Sequence, residues 1–146
     1  MLDCSVAVAW CFEDEATADL DALLDRVQLE GAVVPSLWTW EVANVLLHAC
    51  RRGRIDRDAM RERLALLDML SIETDDMASG TVWRTGVLTL ADTEALTFYD
   101  AIYLELAIRR GLPLATSDAA LRRAAHRRGV VVAPARDARS STRSPR

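Results

Sequence analysis

The stretch from Thr97 to Asp118 reads TFYDAIYLELAIRRGLPLATSD, and it joins a helix pattern to a strand pattern. The apolar helical part ends at Gly111 and Pro113, which do not continue a helix. The segment LPLAT then predicts a short strand that stops at Asp118. The stretch therefore predicts one carboxylate, Asp100, near the start of a helix and a second one at the end of a strand.

Similar patterns alternate along most of the chain. Strands are predicted at residues 1–5, 32–35, 71–74, 112–116 and 130–133. Helices are predicted over VAVAWCF with Ser5 as its cap, along the leucine stripe 20–27, after Ser36, after Asp56, weakly from Asp75-Asp76 with interruptions at Gly80 and Gly86, over 97–110, and over DAALRRAAHRR. In the helix after Ser36, an inward face is predicted from Trp38, Val42, Val45, Leu46 and Ala49. Short apolar strands alternating with helices predict an α/β fold, a three-layer α/β/α sandwich with a central parallel sheet.

The chain length of 146 residues fits one domain. Residues 1–133 are predicted to form it, and residues 134–146 are an Arg/Ser/Pro-rich tail that is predicted to be disordered. The three cysteines show no C-x-x-C spacing, so we expect reduced thiols. No apolar run is long enough to span a membrane and no signal peptide is visible, so we expect a cytoplasmic protein without membrane contact.

Charge is distributed unevenly along the chain. Residues 1–103 hold eight arginines and 19 acids, whereas residues 104–146 hold ten arginines and three acids. All 18 basic residues are arginine, which excludes P-loop kinases and Schiff-base enzymes because both require lysine. The candidates for phosphate contacts are Arg51, Arg52, Arg54, Arg122, Arg123, Arg127 and Arg128, although a solvated basic surface explains them equally well.

Four acids fall at positions where a parallel sheet gathers functional groups, beyond the carboxyl ends of its strands. Asp3 lies at or near the end of the first predicted strand and Asp118 ends the LPLAT strand, while Glu41 and Asp100 lie in the first turns of helices. Glu41 also fits a surface role, and Thr97-x-x-Asp100 fits a capping box. Several clustered carboxylates need a compensating cation, and oxygen ligands favour Mg²⁺ or Mn²⁺. Such metals bind phosphates and activate water, which favours phosphodiester hydrolysis.

Four blocks of the sequence carry a family resemblance: LDCSVAVAW, VPSLWTWEVANVL, LTFYDAIYLELAIRRGLPLATSDAALRRAA and GVVV. In this order and spacing they resemble the signature blocks of PIN-domain ribonucleases, closest to the VapC-type toxins of bacterial toxin–antitoxin pairs. The resemblance runs from residue 1 to about residue 132. It implies Mg²⁺- or Mn²⁺-dependent endonucleolytic cleavage of RNA.

The resemblance also assigns roles to individual residues. It places the catalytic, metal-binding carboxylates at Asp3, Glu41, Asp100 and Asp118, with Ser5 and Thr116 as supporting hydroxyls that orient carboxylates or water. It implies a homodimer and a cognate antitoxin protein whose C-terminal segment, often carrying an arginine, enters the acidic site.

Two other functions remain open from the sequence. One is an RNA-processing nuclease with the same fold and no antitoxin, and the other is a non-catalytic α/β module that binds RNA or a partner. Trp38 is expected in the core, whereas Trp40 lies off the apolar face and is a candidate for a dimer or antitoxin contact. A dehalogenase-like phosphatase is excluded, because it needs D-x-D after the first strand and a later lysine.

Overall fold

The computed structural model describes residues 1–76, 81 and 83–134, and within them helices alternate with short strands. The helices are α1 (Cys4–Ala9), α2 (Ala18–Glu30), α3 (Leu37–Arg51), α4 (Arg57–Asp68), α5 (Leu88–Glu94), α6 (Phe98–Arg110) and α7 (Ala119–Arg127). The strands are β1 (Ala32–Pro35), β2 (Ile72–Asp75), β3 (Leu114–Ala115) and β4 (Val132–Ala133). A 3-10 turn covers Glu13–Glu15, and a π-helical segment, Trp83–Val87, leads into α5.

Residues 1–3 join two strand pairs into one sheet. β1 pairs with β2 and β3 pairs with β4, both in parallel. Between the pairs, the Leu2 N–H donates to the Val33 carbonyl over 3.0 Å and the Asp3 N–H donates to the Ala115 carbonyl over 2.9 Å. Leu2 also forms a parallel bridge with Ala115. The order across the sheet is therefore β2, β1, residues 1–3, β3, β4, and Asp3 is the last residue of the central segment.

Local signals in the sequence explain where most helices begin and end. Four helices start at a side chain that accepts a backbone N–H of the first turn, and these caps are Thr17, Asp56, Thr97 and Asp118. α6 ends at Gly111, whose φ of 61° is left-handed and therefore favours glycine. No helix among the described residues is both long and apolar enough to cross a membrane.

The core forms where α6 packs against β1 and β3. α6 buries Leu104 and Leu106 completely, and Leu2 and Leu114 of the sheet belong to the same core cluster with no exposed surface. Buried leucine side chains of this kind contribute about 1.5–3 kcal/mol each. Packing of helices on parallel strands confirms the predicted α/β class.

Three local predictions were wrong. Ser5 does not cap α1: the helix begins after Asp3, and the Ser5 hydroxyl donates to the Asp3 carboxylate instead. Val45 is 38 % exposed, because the inward face of α3 is narrower than its apolar pattern. Asp75 ends β2 rather than opening a helix, since its carboxylate pairs with α6. Gly80 and the predicted disordered tail from residue 135 onward lie outside the described residues.

A network of arginines and acids ties the end of α6 to β2. Arg109 donates to Asp75 over 2.9 Å and to Glu105 of its own helix over 3.0 Å. Arg110 donates to Asp75 over 3.0 Å and to Glu73 over 2.5 Å. The Asp75 side chain is only 11 % exposed, and its hydrogen bond from Arg109 lowers its pKa below the usual 3.8.

Replacing Asp75 by Asn is expected to lower the free energy of unfolding at neutral pH. Because the pKa of Asp75 is lower in the folded protein, its contribution is present above about pH 4 and is lost as pH falls through the folded pKa. Urea unfolding of both proteins at several pH values checks this. A deficit that stayed constant down to about pH 2 would show that the charge of Asp75 is not its cause.

Candidate carboxylate site

Asp3 is a buried carboxylate held by two hydroxyl groups. It is 6 % exposed, and its Oδ2 accepts hydrogen bonds from Ser5 Oγ over 2.5 Å and from Thr116 Oγ1 over 2.7 Å. Burial raises the pKa of Asp3, the two hydroxyl hydrogen bonds oppose that rise, and the charge of Asp100 adds to it. Both hydroxyls bind the same oxygen, and a hydrogen bond from the Cys4 backbone also favours the charged carboxylate.

The same two hydroxyls also order the loop after β3. Ser5 Oγ accepts the Ser117 N–H over 2.9 Å, and Thr116 Oγ1 accepts the Asp118 N–H over 3.0 Å. Thr116 has no exposed surface. A hydroxyl can donate once and accept twice, so each side chain links Asp3 to the loop that carries Asp118.

Asp118 is exposed and caps α7. Its Oδ1 accepts the Leu121 N–H over 2.7 Å. A capping carboxylate uses one oxygen and keeps the other, so this structural contact is compatible with a ligand at the second oxygen.

Glu41 is half-buried on α3 and accepts a hydrogen bond from the Tyr103 hydroxyl. Burial raises the pKa of Glu41, the Tyr103 hydrogen bond opposes the rise, and the charges of Asp3 and Asp100 increase it. Glu41 therefore lies within electrostatic reach of both other acids.

Asp100 lies in the first turn of α6, where Thr97 holds it. Thr97 Oγ1 donates to Asp100 Oδ2 over 2.6 Å and accepts the Asp100 N–H over 3.1 Å. The structural reading of Thr97-x-x-Asp100 as a helix cap is thus seen in the structure. This contact fixes Asp100 near Asp3 and Glu41, whose pKa values it raises.

Asp3, Glu41 and Asp100 thus lie close enough for their charges to interact. Asp118 lies on the loop that is hydrogen-bonded to the hydroxyls holding Asp3. Within residues 1–76, 81 and 83–134, no group of three or more His, Cys, Asp or Glu side chains is arranged to hold a metal ion. Each of the four carboxylates instead accepts hydrogen bonds from protein donors. By donor chemistry the set still fits a hard cation, because all its ligand atoms are carboxylate oxygens and their charges repel.

Several arginines that were candidates for phosphate contacts have structural partners instead. Arg54 pairs with Asp14 and Glu15 and stacks 3.7 Å from the ring centre of Phe12. Arg127 and Arg128 both pair with Glu94, and Arg122 donates to the carbonyls of Thr116 and Pro134. Arg51, Arg52 and Arg123, which are exposed, remain candidates for phosphate contacts.

Comparison with known families identifies the fold. The family model of the PIN domain matches residues 1–127. The chain belongs to the PIN domain family. PIN domains are generally nucleases that use divalent metals, and the predicted three-layer α/β/α sandwich with a parallel sheet is confirmed.

A solved structure supports the same family. The crystal structure of PAE2754 from Pyrobaculum aerophilum superposes with a TM-score of 0.65 and 27 % sequence identity, covering 90 % of this chain and 81 % of that one. No curated protein matches the chain.

Sequence reasoning missed one residue of this PIN domain site, Tyr103. It lies in the apolar run of α6, where an aromatic residue reads as core, and it is indeed 1 % exposed. The only sequence signal was its position three residues after Asp100, which places both on one side of α6.

Replacing Thr116 by Val is expected to lower the free energy of unfolding by about 1–3 kcal/mol, because Asp3 loses a donor and the Asp118 N–H loses its acceptor. Val keeps the shape of the buried side chain. Urea unfolding measures this change in the free energy of unfolding. Thr39→Val, the same chemical change at an exposed position, is the control. Equal effects of the two substitutions would contradict the structural role of the buried hydroxyl.

Proposed function

We propose that this PIN domain is a metal-dependent endoribonuclease and the toxin of a toxin–antitoxin pair. The observation that carries the proposal is the buried carboxylate of Asp3 at the end of the central sheet segment, with the acids Glu41 and Asp100 within electrostatic reach. Holding three acids together raises the free energy of the folded protein unless a cation compensates them. A binding module without catalysis has no need for that arrangement.

On this proposal Asp3, Glu41, Asp100 and Asp118 hold Mg²⁺ or Mn²⁺. Bound there, such a metal supplies an activated water and neutralises charge on the scissile phosphate. The protein itself orients the ligands: Ser5 and Thr116 hold one oxygen of Asp3, and the first turns of α6 and α7 fix Asp100 and Asp118.

The biological part of the proposal rests on the resemblance of the four sequence blocks to VapC-type toxins. It implies an antitoxin segment, often carrying an arginine, that neutralises the acidic site as a competitor of the metal and the RNA. The two alternatives, a processing nuclease without antitoxin and a non-catalytic RNA-binding module, become outcomes of the tests below.

Purified protein is expected to cut total RNA into discrete fragments with Mg²⁺ or Mn²⁺ and not with EDTA. Asp100→Asn and Asp118→Asn should each slow cleavage about a hundredfold or more. Substituting a residue that only supports a metal ligand already lowers metal affinity or activity about 10–100-fold, and these two residues are ligands in the proposal. Asp25→Asn, an exposed acid of α2, should cut like the wild type. The measurement is the cleavage rate on labelled RNA, together with growth of cells that express each variant.

Each other result has a defined meaning. Cleavage that survives both site substitutions would refute the site assignment. RNA binding without cleavage, in protein shown by mass spectrometry to be free of a co-purified partner, would favour the binding module. Cleavage without growth inhibition would favour a processing nuclease.

The homodimer in this proposal is assigned to the outward face of α3. Trp40 is 77 % exposed and Leu47 is 36 % exposed, and with the exposed Ala43 they recur at helical spacing. An exposed tryptophan on an apolar helix face is typical of a protein interface.

Trp40→Ala is therefore expected to shift the protein from dimer to monomer. Sedimentation velocity at micromolar concentration measures the change, and an exposed leucine on another helix, Leu29→Ala on α2, is the control. If the Trp40→Ala variant remains a dimer, this face of α3 is not the dimer contact. The antitoxin is then its candidate partner.

A further inference from the structure

Tyr103 is the side chain that fixes Glu41, although it belongs to none of the acidic positions. Its hydroxyl donates to Glu41 Oε2 across 62 residues of sequence, from α6 to α3. We propose that Tyr103 is a positioning residue that holds Glu41 ready for the cation in the site. This inference rests on the proposed function and assigns a role to the buried phenol within it.

The hydroxyl of Tyr103 is buried together with its ring. The residue is 1 % exposed and belongs to the hydrophobic core. A buried phenol needs a hydrogen-bond partner, and a bond to an ionised carboxylate is stronger than one to a neutral group. Removing the Glu41 carboxylate leaves the Tyr103 hydroxyl buried without this acceptor, so the contact specifies one arrangement of the two side chains.

Glu41 in turn depends on this donor to stay where it is. Its long side chain has several rotamers, and both Asp3 and Asp100 repel its charge. Without Tyr103, Glu41 is expected to turn towards solvent, and the site then loses a ligand.

The helix that carries Tyr103 is itself held at both ends. Thr97 caps its first turn, and Arg109 joins its last turn to Asp75 of β2. Asp100 and Tyr103 are three residues apart and so share one side of α6. One rigid helix therefore fixes an acid of its own and the acid of a neighbouring helix.

The contact occupies only one oxygen of Glu41. A carboxylate has two oxygens with lone pairs on both, so the second oxygen stays available to a cation while Tyr103 holds the first. Because Tyr103 is buried, it does not touch RNA. Its loss should therefore change metal affinity and kcat but not the KM for RNA.

The test replaces Tyr103 by Phe, which keeps the buried ring and removes only the hydroxyl. Tyr99→Phe removes the hydroxyl of the one other tyrosine, which lies exposed on the same helix, and is the matched control. The Kd of Mn²⁺ for metal-free protein is read from the electron paramagnetic resonance signal of free Mn²⁺. We expect Tyr103→Phe to raise this Kd about tenfold and Tyr99→Phe to leave it unchanged.

A double-mutant cycle ties the effect to Glu41. In a Glu41→Ala background, Tyr103→Phe should raise the Kd of Mn²⁺ no further. Equal weakening in both backgrounds would overturn the proposal, because Tyr103 would then act on the site without Glu41. Urea unfolding of the same four proteins in EDTA must show a coupling between the two positions, and its absence would also overturn the proposal.

Failure of this inference is distinguishable from failure of the proposed function. If the wild type binds Mn²⁺ and cuts RNA and Tyr103→Phe does both equally well, only the positioning role is wrong. If the wild type, free of partner, neither binds Mn²⁺ nor cuts RNA, the nuclease function is wrong and the role of Tyr103 in it falls as well. A raised KM with unchanged kcat in Tyr103→Phe would likewise contradict positioning.

Discussion

The structure depends on the burial of one carboxylate, Asp3, at the end of the central sheet segment. A buried charge is costly unless it is hydrogen-bonded, and two hydroxyls, from Ser5 and Thr116, meet that requirement at a single oxygen. Those hydroxyls also accept backbone N–H groups of the loop after β3. The start of the chain, α1 and β3 are thereby fixed around the acid, and the loop that carries Asp118 is tied to it.

The acidic site is arranged at the expense of stability. Asp3 and Glu41 both have raised pKa values, through burial first and the charges of neighbouring acids as well. Such strain between like charges is typical of functional sites, where binding a ligand relieves it. Elsewhere acids have the opposite environment: Asp75 and Glu94 have lowered pKa values because arginines bind them. The contrast separates carboxylates that hold the fold together from those that are proposed to bind a cation.

The sequence was informative wherever a pattern is local. Caps, glycines and apolar spacing predicted α3, α6, α7 and β1 closely, and the parallel α/β class followed from their alternation. The sequence was less reliable between residues 75 and 95. Weak helix signals there did not predict the end of β2 or the π-helical segment that leads into α5. Local patterns also placed Val45 on the inward face of α3. The apolar residues of this helix span a wider face than the neighbouring elements cover.

The sequence by itself determined which acids follow strands and helix starts, because strand ends, caps and helical periods depend on residues close in the chain. Only the tertiary structure decided which of them meet and what holds them. The contact of Tyr103 with Glu41 spans 62 residues and that of Thr116 with Asp3 spans 113. Likewise, Arg127 and Arg128 looked available for phosphates until the fold brought Glu94 to them. Hydrogen bonds and ion pairs depend on distances in space, and those distances exist only once the helices have packed on the sheet.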